Sequence, residues 1–324
     1  MRDFHVHYTG SLPRKYLYKK FLLSNIQDPL FKFGKNPTFQ HFSKQITSLF
    51  TKNYIKNREV FFSIYSFFQT ITKPKEYSEY QNEYSCGCFE IARNFYEHKI
   101  YNFDLIAGPC STIELTEKRL SGMIEGFKNT QNLISKRISP KIRLTFIRNS
   151  EGKIKNYSEE KLSDLFELLT DKYFSKWIVG FDISGEEFAN NSFFNENVQI
   201  IKKLTEFNQI FNTKYDVSIH AGENINNFEE NDRFYNYFYE LTKLNISRIS
   251  HGTFLWYNLN KKKEDLLRTF SQRKVIFDLC PKANLLLTPL KTRKEIPVEF
   301  FDKIGLKYTF NRDNPSIFNN INNP

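Results

Sequence analysis

The chain has 324 residues, of which 40% are hydrophobic, and its formal net charge is +11. A chain of this size can bury a large core and lies within the range of a closed α/β barrel. No segment approaches about 18 consecutive apolar residues, which argues against a membrane-spanning helix, and the four cysteines contain no CxxC pair.

The charge and the cysteines suggest a location and a class of partner. The excess of basic residues indicates either a solvated surface or attraction to phosphorylated substrates, and its spread along the sequence makes a nucleic-acid partner unlikely. Four thiols without a zinc pattern are typical of reduced cysteines. With no N-terminal leader in the sequence, we expect a soluble, cytoplasmic protein with a small-molecule substrate and no membrane association. The sequence does not predict the oligomeric state.

Short apolar runs alternate with longer helical patterns along the whole chain. Such alternation predicts βαβ units with a parallel sheet, and eight strands favour closure into a (β/α)8 TIM-type barrel. The predicted strands are Phe4–His7, Tyr101–Ala107, Lys141–Arg148, Ile178–Ser184, Asp216–His220, Arg248–His251, Val275–Cys280 and Lys307–Asn311.

The first connection, residues 12–99, is much longer than one crossover helix and predicts a helical insertion beside or over the barrel mouth. Two stripes at helical spacing are interpreted as core packing: Phe61, Phe62, Ile64, Tyr65 and Phe68, and then Cys88, Ile91, Ala92, Phe95 and Tyr96. We expect one domain over residues 1–324. Residues 314–324 are too few for a full closing helix, so either the fold ends early or the natural protein continues.

Candidate functional side chains follow the strands. His5 and His7 alternate on the first strand and therefore point to the same face, where two imidazoles suit a divalent transition metal. His220 ends the fifth strand, and Glu223 follows it as a candidate proton shuttle, although a helix-capping role is the alternative. His251 ends the sixth strand. Asp313 follows the eighth, so the carboxyl ends of four strands would converge on one site.

These motifs, in this order, resemble the adenosine and AMP deaminase family of the amidohydrolases. The resemblance runs from Phe4 to about Phe318. It rests on five segments: His5-x-His7 with Gly10-Ser11-Leu12, His220-Ala-Gly-Glu223, Arg248-Ile-Ser-His251-Gly252, Cys280-Pro281-x-x-Asn284 and Asn311-x-Asp313-x-Pro315.

The resemblance implies a role for each residue. His5, His7, His220 and Asp313 would bind one zinc ion, with water completing the coordination shell. Glu223 would carry a proton from the water to the purine ring, and His251 would orient and support the attacking hydroxide. Gly185, in the segment Gly180-Phe-Asp-Ile-Ser-Gly185, matches a glycine whose backbone N–H contacts the purine.

The chain departs from the family at positions that bear on the substrate. Asn314 stands where the family has a second Asp that contacts the purine, and its amide can donate directly to a ring nitrogen. Thr9 replaces an Asp that binds the ribose 5′-hydroxyl, which removes repulsion against a 5′-phosphate or is a neutral replacement. Arg312 replaces Thr, and the second strand lacks the Glu-x-Arg often found there.

The sequence therefore predicts a zinc-dependent hydrolytic deaminase that converts an adenine nucleoside or nucleotide to the inosine form with release of ammonia. Two alternatives stay open. One is a metal-dependent hydrolase of another aminated heterocycle or amide-like bond. The other is a catalytically silent module that binds nucleotides or assembles with partners.

Overall fold

The computed structural model describes residues 2–24, 26, 31, 37–149, 154, 158–185, 187, 193–223 and 232–319. Eight strands lie in this part of the chain, each within two residues of a predicted strand: β1 Arg2–His7, β2 Asn102–Ala107, β3 Ser139–Arg148, β4 Ile178–Gly185, β5 Asp216–Ala221, β6 Arg248–His251, β7 Ile276–Leu279 and β8 Lys307–Phe310.

The strands form one sheet in sequence order, and each pairs in parallel with the next. The first and last elements meet where Val6 bridges Asp313. At this seam, His7 N–H donates to the Asp313 carbonyl and Asp313 N–H donates to the His5 carbonyl, both at 2.9 Å. The predicted (β/α)8 barrel is confirmed.

Helices connect and surround the strands. They are α1 Tyr8–Ser11, α2 Arg14–Ser24, α3 Phe39–Ser48, α4 Tyr54–Thr72, α5 Tyr80–Glu97, α6 Ile113–Leu133, α7 Glu159–Thr170, α8 Lys172–Ser175, α9 Phe193–Ile210, α10 Asp232–Leu241, α11 Thr253–Trp256, α12 Lys261–Gln272, α13 Pro281–Leu287, α14 Val298–Ile304 and α15 Pro315–Phe318, with short 3-10 turns at Tyr77–Glu79 and Arg293–Glu295. None of the described helices combines the length and apolar character needed to cross a membrane.

Local sequence explains where several helices begin. The side chains of Asn53, Thr112, Ser158 and Asn260 each accept a hydrogen bond from a backbone N–H in the first turn of α4, α6, α7 and α12, respectively. Such N-caps satisfy donors that have no partner within the helix, and each contributes about 1 kcal/mol.

The strands present different faces to the helices and to the barrel interior. On β4, Phe181 packs against Phe166 of α7, whereas Asp182 contacts neighbouring strands. Buried ion pairs link strands elsewhere, including Arg248–Asp278 and Arg143–Asp104. The apolar core thus lies largely between sheet and helices, and the interior contains charged and polar side chains.

Helices α2 to α5 occupy the long connection between β1 and β2. Helix α4 contacts α1, α13 and α15, and α5 packs along α6. Residues 25, 27–30 and 32–36 of the predicted insertion lie outside the described residues, as do residues 320–324 of the short C-terminal segment. The division into one domain with an insertion stays a prediction.

Candidate metal centre and cavity

Four predicted ligands converge at the carboxyl ends of β1 and β5 and just beyond β8. The ligand atoms of His5, His7 and His220 all lie within 4.8 Å of one another, and the Nε2 atoms of His7 and His220 are 3.2 Å apart. One carboxylate oxygen of Asp313 lies 3.7 Å from His5 Nε2 and 3.4 Å from His7 Nε2. All four residues are buried.

Polar side chains contact the Nδ1 atoms of two of the imidazoles and fix the orientation of these rings. His220 Nδ1 lies 3.0 Å from a carboxylate oxygen of Asp182, and His5 Nδ1 lies 3.0 Å from the Ser250 hydroxyl. A hydrogen bond at Nδ1 fixes the ring orientation and, where Nδ1 donates, leaves the Nε2 lone pair available as a ligand. The Nε2 of His5 has no hydrogen-bond partner among the described residues.

Asp182 is the centre of a buried network beneath His220. The Ser218 hydroxyl donates to it at 2.7 Å and the Thr145 hydroxyl at 2.9 Å. Burial alone would raise the pKa of Asp182, but the attraction and hydrogen bond of His220 and the hydrogen bond of Ser218 hold it below its ordinary value. Burial likewise opposes the charge on His220, yet Asp182 raises the pKa of His220.

The pKa values of the other three candidate ligands are also shifted from their ordinary values. Burial, followed by the proximity of His220, lowers the pKa of His7 to about 3, and burial lowers the pKa of His5 well below its usual value. Burial and the nearby Glu223 raise the pKa of Asp313. Two neutral imidazoles are therefore ready to act as ligands, and a cation would compensate the buried carboxylate.

Glu223 and His251 face the same cavity. One Glu223 carboxylate oxygen lies 3.8 Å from His251 Nε2. Burial favours the neutral form of Glu223, but the nearby His251 and His220 side chains outweigh it and lower the pKa of Glu223. His251 Nδ1 donates to the Asn284 side-chain oxygen at 2.8 Å. The fold thus brings a carboxylate and an oriented imidazole beside the ligand cluster, and their catalytic roles stay predictions.

Backbone conformation is unusual at two of these residues. His251 has φ +64° and Asp313 has φ +60°. The left-handed region costs a residue with a side chain on the order of 1–3 kcal/mol, and such strain concentrates at functional sites. His251 is the last residue of β6 and Asp313 lies shortly beyond the end of β8, so both left-handed residues lie where the chain leaves a strand at the barrel mouth.

Gly10 shows why a small residue follows the first strand. A Cβ atom at Gly10 would overlap the side chain of Asn314. The Asn314 amide nitrogen donates to Asp313 at 2.6 Å. Gly10 therefore leaves the space in which Asn314 supports the Asp313 carboxylate.

The cavity above the cluster has a volume of about 590 Å³. Its lining comprises His7, Arg58, Phe61, Phe62, Tyr65, Ser66, Gln69, Gly108, Pro109, Thr145, Ile147, Arg148, Ser184, Gly185, His220, Glu223, His251, Leu287, Asp313 and Asn314. This volume is typical of a small-molecule site.

Helix α4 corrects one sequence-based interpretation. Ile64 and Phe68 are buried as predicted, and Phe61 and Tyr65 pack against the core while also lining the cavity. Phe62 differs from the prediction, because it lines the cavity and is 44% exposed. Helical periodicity identifies an apolar face, but an apolar cavity wall produces the same pattern as a core contact.

The second predicted stripe, on α5, is confirmed: Cys88, Ile91, Ala92 and Phe95 are fully buried, and Tyr96 packs against the core.

Of the three residues predicted to contact the substrate, two line the cavity and one does not. Gly185 lines the cavity with φ +95°. Asn314 also lines it, with its amide nitrogen engaged by Asp313. Thr9 is buried and absent from the lining, and a side-chain hydrogen bond joins it to Tyr65, which does line the cavity. The roles of these three residues stay predictions.

Arg312, whose orientation the sequence left open, is absent from the cavity lining and pairs with Asp3. Its guanidinium contacts a carboxylate oxygen of Asp3 at 2.9 Å, and both residues are buried. Asp3 also accepts from the His5 backbone N–H at 3.3 Å. The pair therefore braces the seam that carries three of the four ligands.

Sequence reasoning missed several supporting residues. Asp182 and Ser250 stand in the quoted segments around Gly185 and His251, but simple alternation from Gly185 or His251 would have placed each of them on the opposite face of its strand. The left-handed backbone at Gly185 and His251 breaks that alternation. Arg148 ends β3 and donates to the His220 carbonyl at 3.1 Å and to the Gly185 carbonyl at 3.0 Å. No local pattern marks Arg148, because its partners come from two other strands.

The residues fit a bound metal ion. The donor set contains three imidazoles and one carboxylate, a combination that zinc binds at about 2.0–2.2 Å. The buried Nε2 of His5, without a partner among the described residues, is the orphaned polar atom that a cation would satisfy.

Comparison with known proteins is consistent with this site. The family model described as adenosine deaminase matches residues 89–322. An adenine deaminase of Candida albicans is 27% identical over 150 residues, which cover 45% of this chain and 36% of that protein. The aligned part therefore spans about a third of the relative's length.

Two solved structures share the fold. The adenine deaminase from Arthrobacter aurescens has a TM-score of 0.68 at 15% identity, covering 98% of this chain and 83% of that one. The N6-methyl-AMP deaminase from Arabidopsis thaliana, in its apo form, has a TM-score of 0.65 at 13% identity, with 98% and 81% coverage. At these identities the structures show a common architecture.

Proposed function

This chain belongs to the adenosine deaminase family, and from that premise we propose that it is a metal-dependent hydrolase that releases ammonia from an adenine nucleoside or nucleotide. One observation supports the proposal most strongly. Three imidazoles and the Asp313 carboxylate converge at the barrel mouth, and Glu223 and His251 face the same cavity.

We propose that His5, His7, His220 and Asp313 hold a single zinc ion. The nitrogen and oxygen donors match the ligand preference of zinc, and Asp182 and Ser250 orient two of the imidazoles. When bound, such an ion supplies Lewis acidity and a hydroxide nucleophile at neutral pH.

The chain's own residues perform the proton transfers. Glu223 has a carboxylate in the cavity and accepts the proton of the attacking water, then delivers it to a ring nitrogen of the purine. Because His251 Nδ1 donates to Asn284, its Nε2 faces the cavity as an acceptor that orients the nucleophile. The gain of water at C6 and loss of the amine give the oxo-purine and ammonia.

Positioning of the purine is assigned to the cavity walls. The Gly185 backbone N–H is the proposed donor to one ring nitrogen. Phe61 and Tyr65 contribute aromatic surface to the cavity lining, against which a purine ring would pack. Asn314 supports Asp313 and contacts the ring with its remaining amide hydrogen.

The substrate class is proposed from Thr9 and from Arg58. Thr9 stands where the family has a carboxylate, and its side chain interacts with Tyr65 of the cavity lining, so no negative charge from this position repels a phosphate. Arg58 lines the cavity, and the protein has a net charge of +11. Relatives act, by their names, on adenine and on N6-methyl-AMP, so base, nucleoside and nucleotide all belong in the test.

The test measures ammonia release and the ultraviolet change from adenine to hypoxanthine for adenine, adenosine, deoxyadenosine, AMP and ATP, together with metal analysis. We expect turnover of a nucleoside or nucleotide and about one zinc per chain. Glu223→Gln is expected to lower kcat by about 10²–10⁴-fold and to retain the metal. Metal-loaded protein that releases ammonia from none of these purines would refute the deaminase proposal and favour another hydrolytic substrate.

A further inference from the structure

The face of the barrel opposite the cavity is built from the loops that lead from each helix into the next strand. Because the strands are parallel, these loops lie together at the amino ends of the strands, whereas the candidate site lies at the carboxyl ends. We call this surface the basal face. The loops that lead into β2 to β7 are residues 98–101, 134–138, 176–177, 211–215, 242–247 and 273–275.

Each of these six loops carries at least one basic residue, and none of them carries an acidic residue. The side chains of all the basic residues are exposed: Lys99, Lys136, Arg137, Lys176, Lys214, Lys243, Arg273 and Lys274. They are far apart along the sequence, so the sequence shows no basic cluster. The fold gathers them on one face, because six successive loops lie side by side around the barrel.

Acidic residues next to these loops reduce the positive charge only in part. Asp216, at the start of β5, lies 3.6 Å from the buried guanidinium of Arg143 and so compensates a cation that is not on the basal face. In the part of the chain that the structure describes, Lys243 is the only one of the eight basal cations that pairs with a carboxylate, that of Glu240 at 2.6 Å. The other seven remain available to an anionic partner.

Exposed apolar side chains lie among these cations. Leu133, the last residue of α6, is 75% exposed and precedes the loop that contains Lys136 and Arg137. Ile210, the last residue of α9, is 64% exposed and precedes the loop that contains Lys214. Attraction to the carboxyl end of a helix explains a cation at this position, but it does not explain a large aliphatic side chain in water beside it. The combination of cations and exposed aliphatic groups is typical of a protein surface that contacts lipid.

We propose that the basal face docks on an anionic lipid surface. The lysines and arginines would lie near the headgroups, and Leu133 and Ile210 would enter the boundary between headgroups and acyl chains. Aliphatic side chains suit that boundary better than a nucleic acid, whose bases stack on aromatic rings. This peripheral contact requires no membrane-spanning helix, and it differs from the expectation of no membrane association drawn from the sequence. The cavity then faces away from the lipid.

The test is cosedimentation of the full chain with vesicles of phosphatidylcholine, alone or mixed with phosphatidylserine. We expect binding only to the mixed vesicles, and weaker binding as ionic strength rises. A basal variant, expected to bind at least about tenfold more weakly, carries Lys136→Ala, Arg137→Ala, Lys214→Ala and Lys274→Ala. A control variant removes the same charge from exposed positions of α2, α3 and α4 and should bind like the wild type; it carries Lys15→Ala, Lys19→Ala, Lys44→Ala and Lys56→Ala.

A second pair of variants tests the apolar contribution at constant charge. Leu133→Ser combined with Ile210→Ser should weaken vesicle binding by at least about fivefold. Leu22→Ser combined with Leu23→Ser, at exposed positions of α2, should leave it unchanged. Equal effects of these two serine variants would overturn the proposed insertion into lipid.

Three further outcomes would overturn the docking proposal: no binding to the mixed vesicles, equal weakening by the basal and control variants, or binding of an RNA oligonucleotide in place of vesicles. The last result, measured by fluorescence anisotropy and lost in the basal variant, would assign the basal face to nucleic acid. Circular dichroism shows that each variant is folded. Because none of these measurements requires turnover, they are independent of the deaminase proposal.

Discussion

The side chains at the floor of the cavity, where the strands end, are fixed by more contacts with other elements than the side chains on its α4 side. On the floor, each imidazole is buried, and His5, His220 and His251 have partners at Nδ1 that come from other strands or from α13. On the α4 side, one helix supplies Arg58, Phe61, Phe62, Tyr65, Ser66 and Gln69, and Phe62 is 44% exposed. From this difference we infer that the strand ends hold the candidate catalytic groups, and we propose that the connection after β1 shapes the selection of the substrate.

The largest effect is expected from Asp182→Asn, which alters the carboxylate that orients His220 at the floor of the cavity. This change weakens the hydrogen bond that orients His220 and removes a buried charge opposite it, so metal affinity should fall by about 10–100-fold. Competition with a chromogenic chelator measures the affinity. Asp164→Asn, the same change at an exposed position of α7, is the control, and equal metal retention in the two variants would contradict the proposed role of Asp182.

The same pair predicts a pH dependence in protein stripped of metal. Asp182 raises the pKa of His220 above 6.5, so this contribution to stability is complete below pH 6.5 and is lost as pH rises through the folded-state value. His220 and Ser218 lower the pKa of Asp182 below 3.8, so its contribution is present above pH 3.8 and is lost on acidification.

The difference in unfolding free energy between the wild type and Asp182→Asn should therefore be greatest between pH 3.8 and 6.5. Urea denaturation of chelator-treated protein at several pH values measures it. A difference that stays constant from pH 4 to pH 8 would show that the two groups are not coupled as the geometry indicates.

A smaller effect is expected from Tyr65→Phe, because Tyr65 links α4 to Thr9, which follows β1. The change removes the hydrogen bond with Thr9, which is worth about 1 kcal/mol, and keeps the ring. We expect unchanged metal content, a free energy of unfolding lower by about 1 kcal/mol, and a rise in KM because the Tyr65 side chain lines the cavity. Urea denaturation measures the stability and steady-state kinetics with the best purine substrate measures KM, and a loss of metal would show instead that Tyr65 helps to hold the metal site.

The smallest effect on stability is expected from Phe62→Ala on the α4 side. Because the ring is 44% exposed, the free energy of unfolding should change by no more than about 0.5 kcal/mol, while KM rises and kcat stays near the wild-type value. Phe68→Ala on the buried face of the same helix is the contrast, with an expected cost of about 3–5 kcal/mol. Equal destabilisation by both changes would contradict the assignment of Phe62 to the cavity.

The difference between the floor of the cavity and its α4 side also explains which parts of the site could be predicted from sequence. The barrel and the convergence of His5, His7, His220 and Asp313 follow from strand periodicity and from the rule that parallel strands end on one face. The partners Asp182, Ser250 and Arg148 depend on which strands become neighbours and on register, which no short segment specifies. The hydroxyl contact of Thr9 with Tyr65 joins residues whose separation in sequence has no periodic signature.

Helix α4 was the least predictable part of the site. Its apolar spacing correctly indicated a helix with a hydrophobic face, but the pattern cannot distinguish Ile64, which is buried, from Phe61, which faces the cavity. Arg312 shows the same limit for charge: its buried pairing with Asp3 depends on the closure of β8 against β1.

The most direct test is anomalous diffraction at the zinc absorption edge from crystals of the metal-loaded protein. We predict one strong peak within bonding distance of the Nε2 atoms of His5, His7 and His220 and of an Asp313 oxygen. A strong peak bound elsewhere, or a site that excludes Asp313, would contradict a single cation shared by these four side chains.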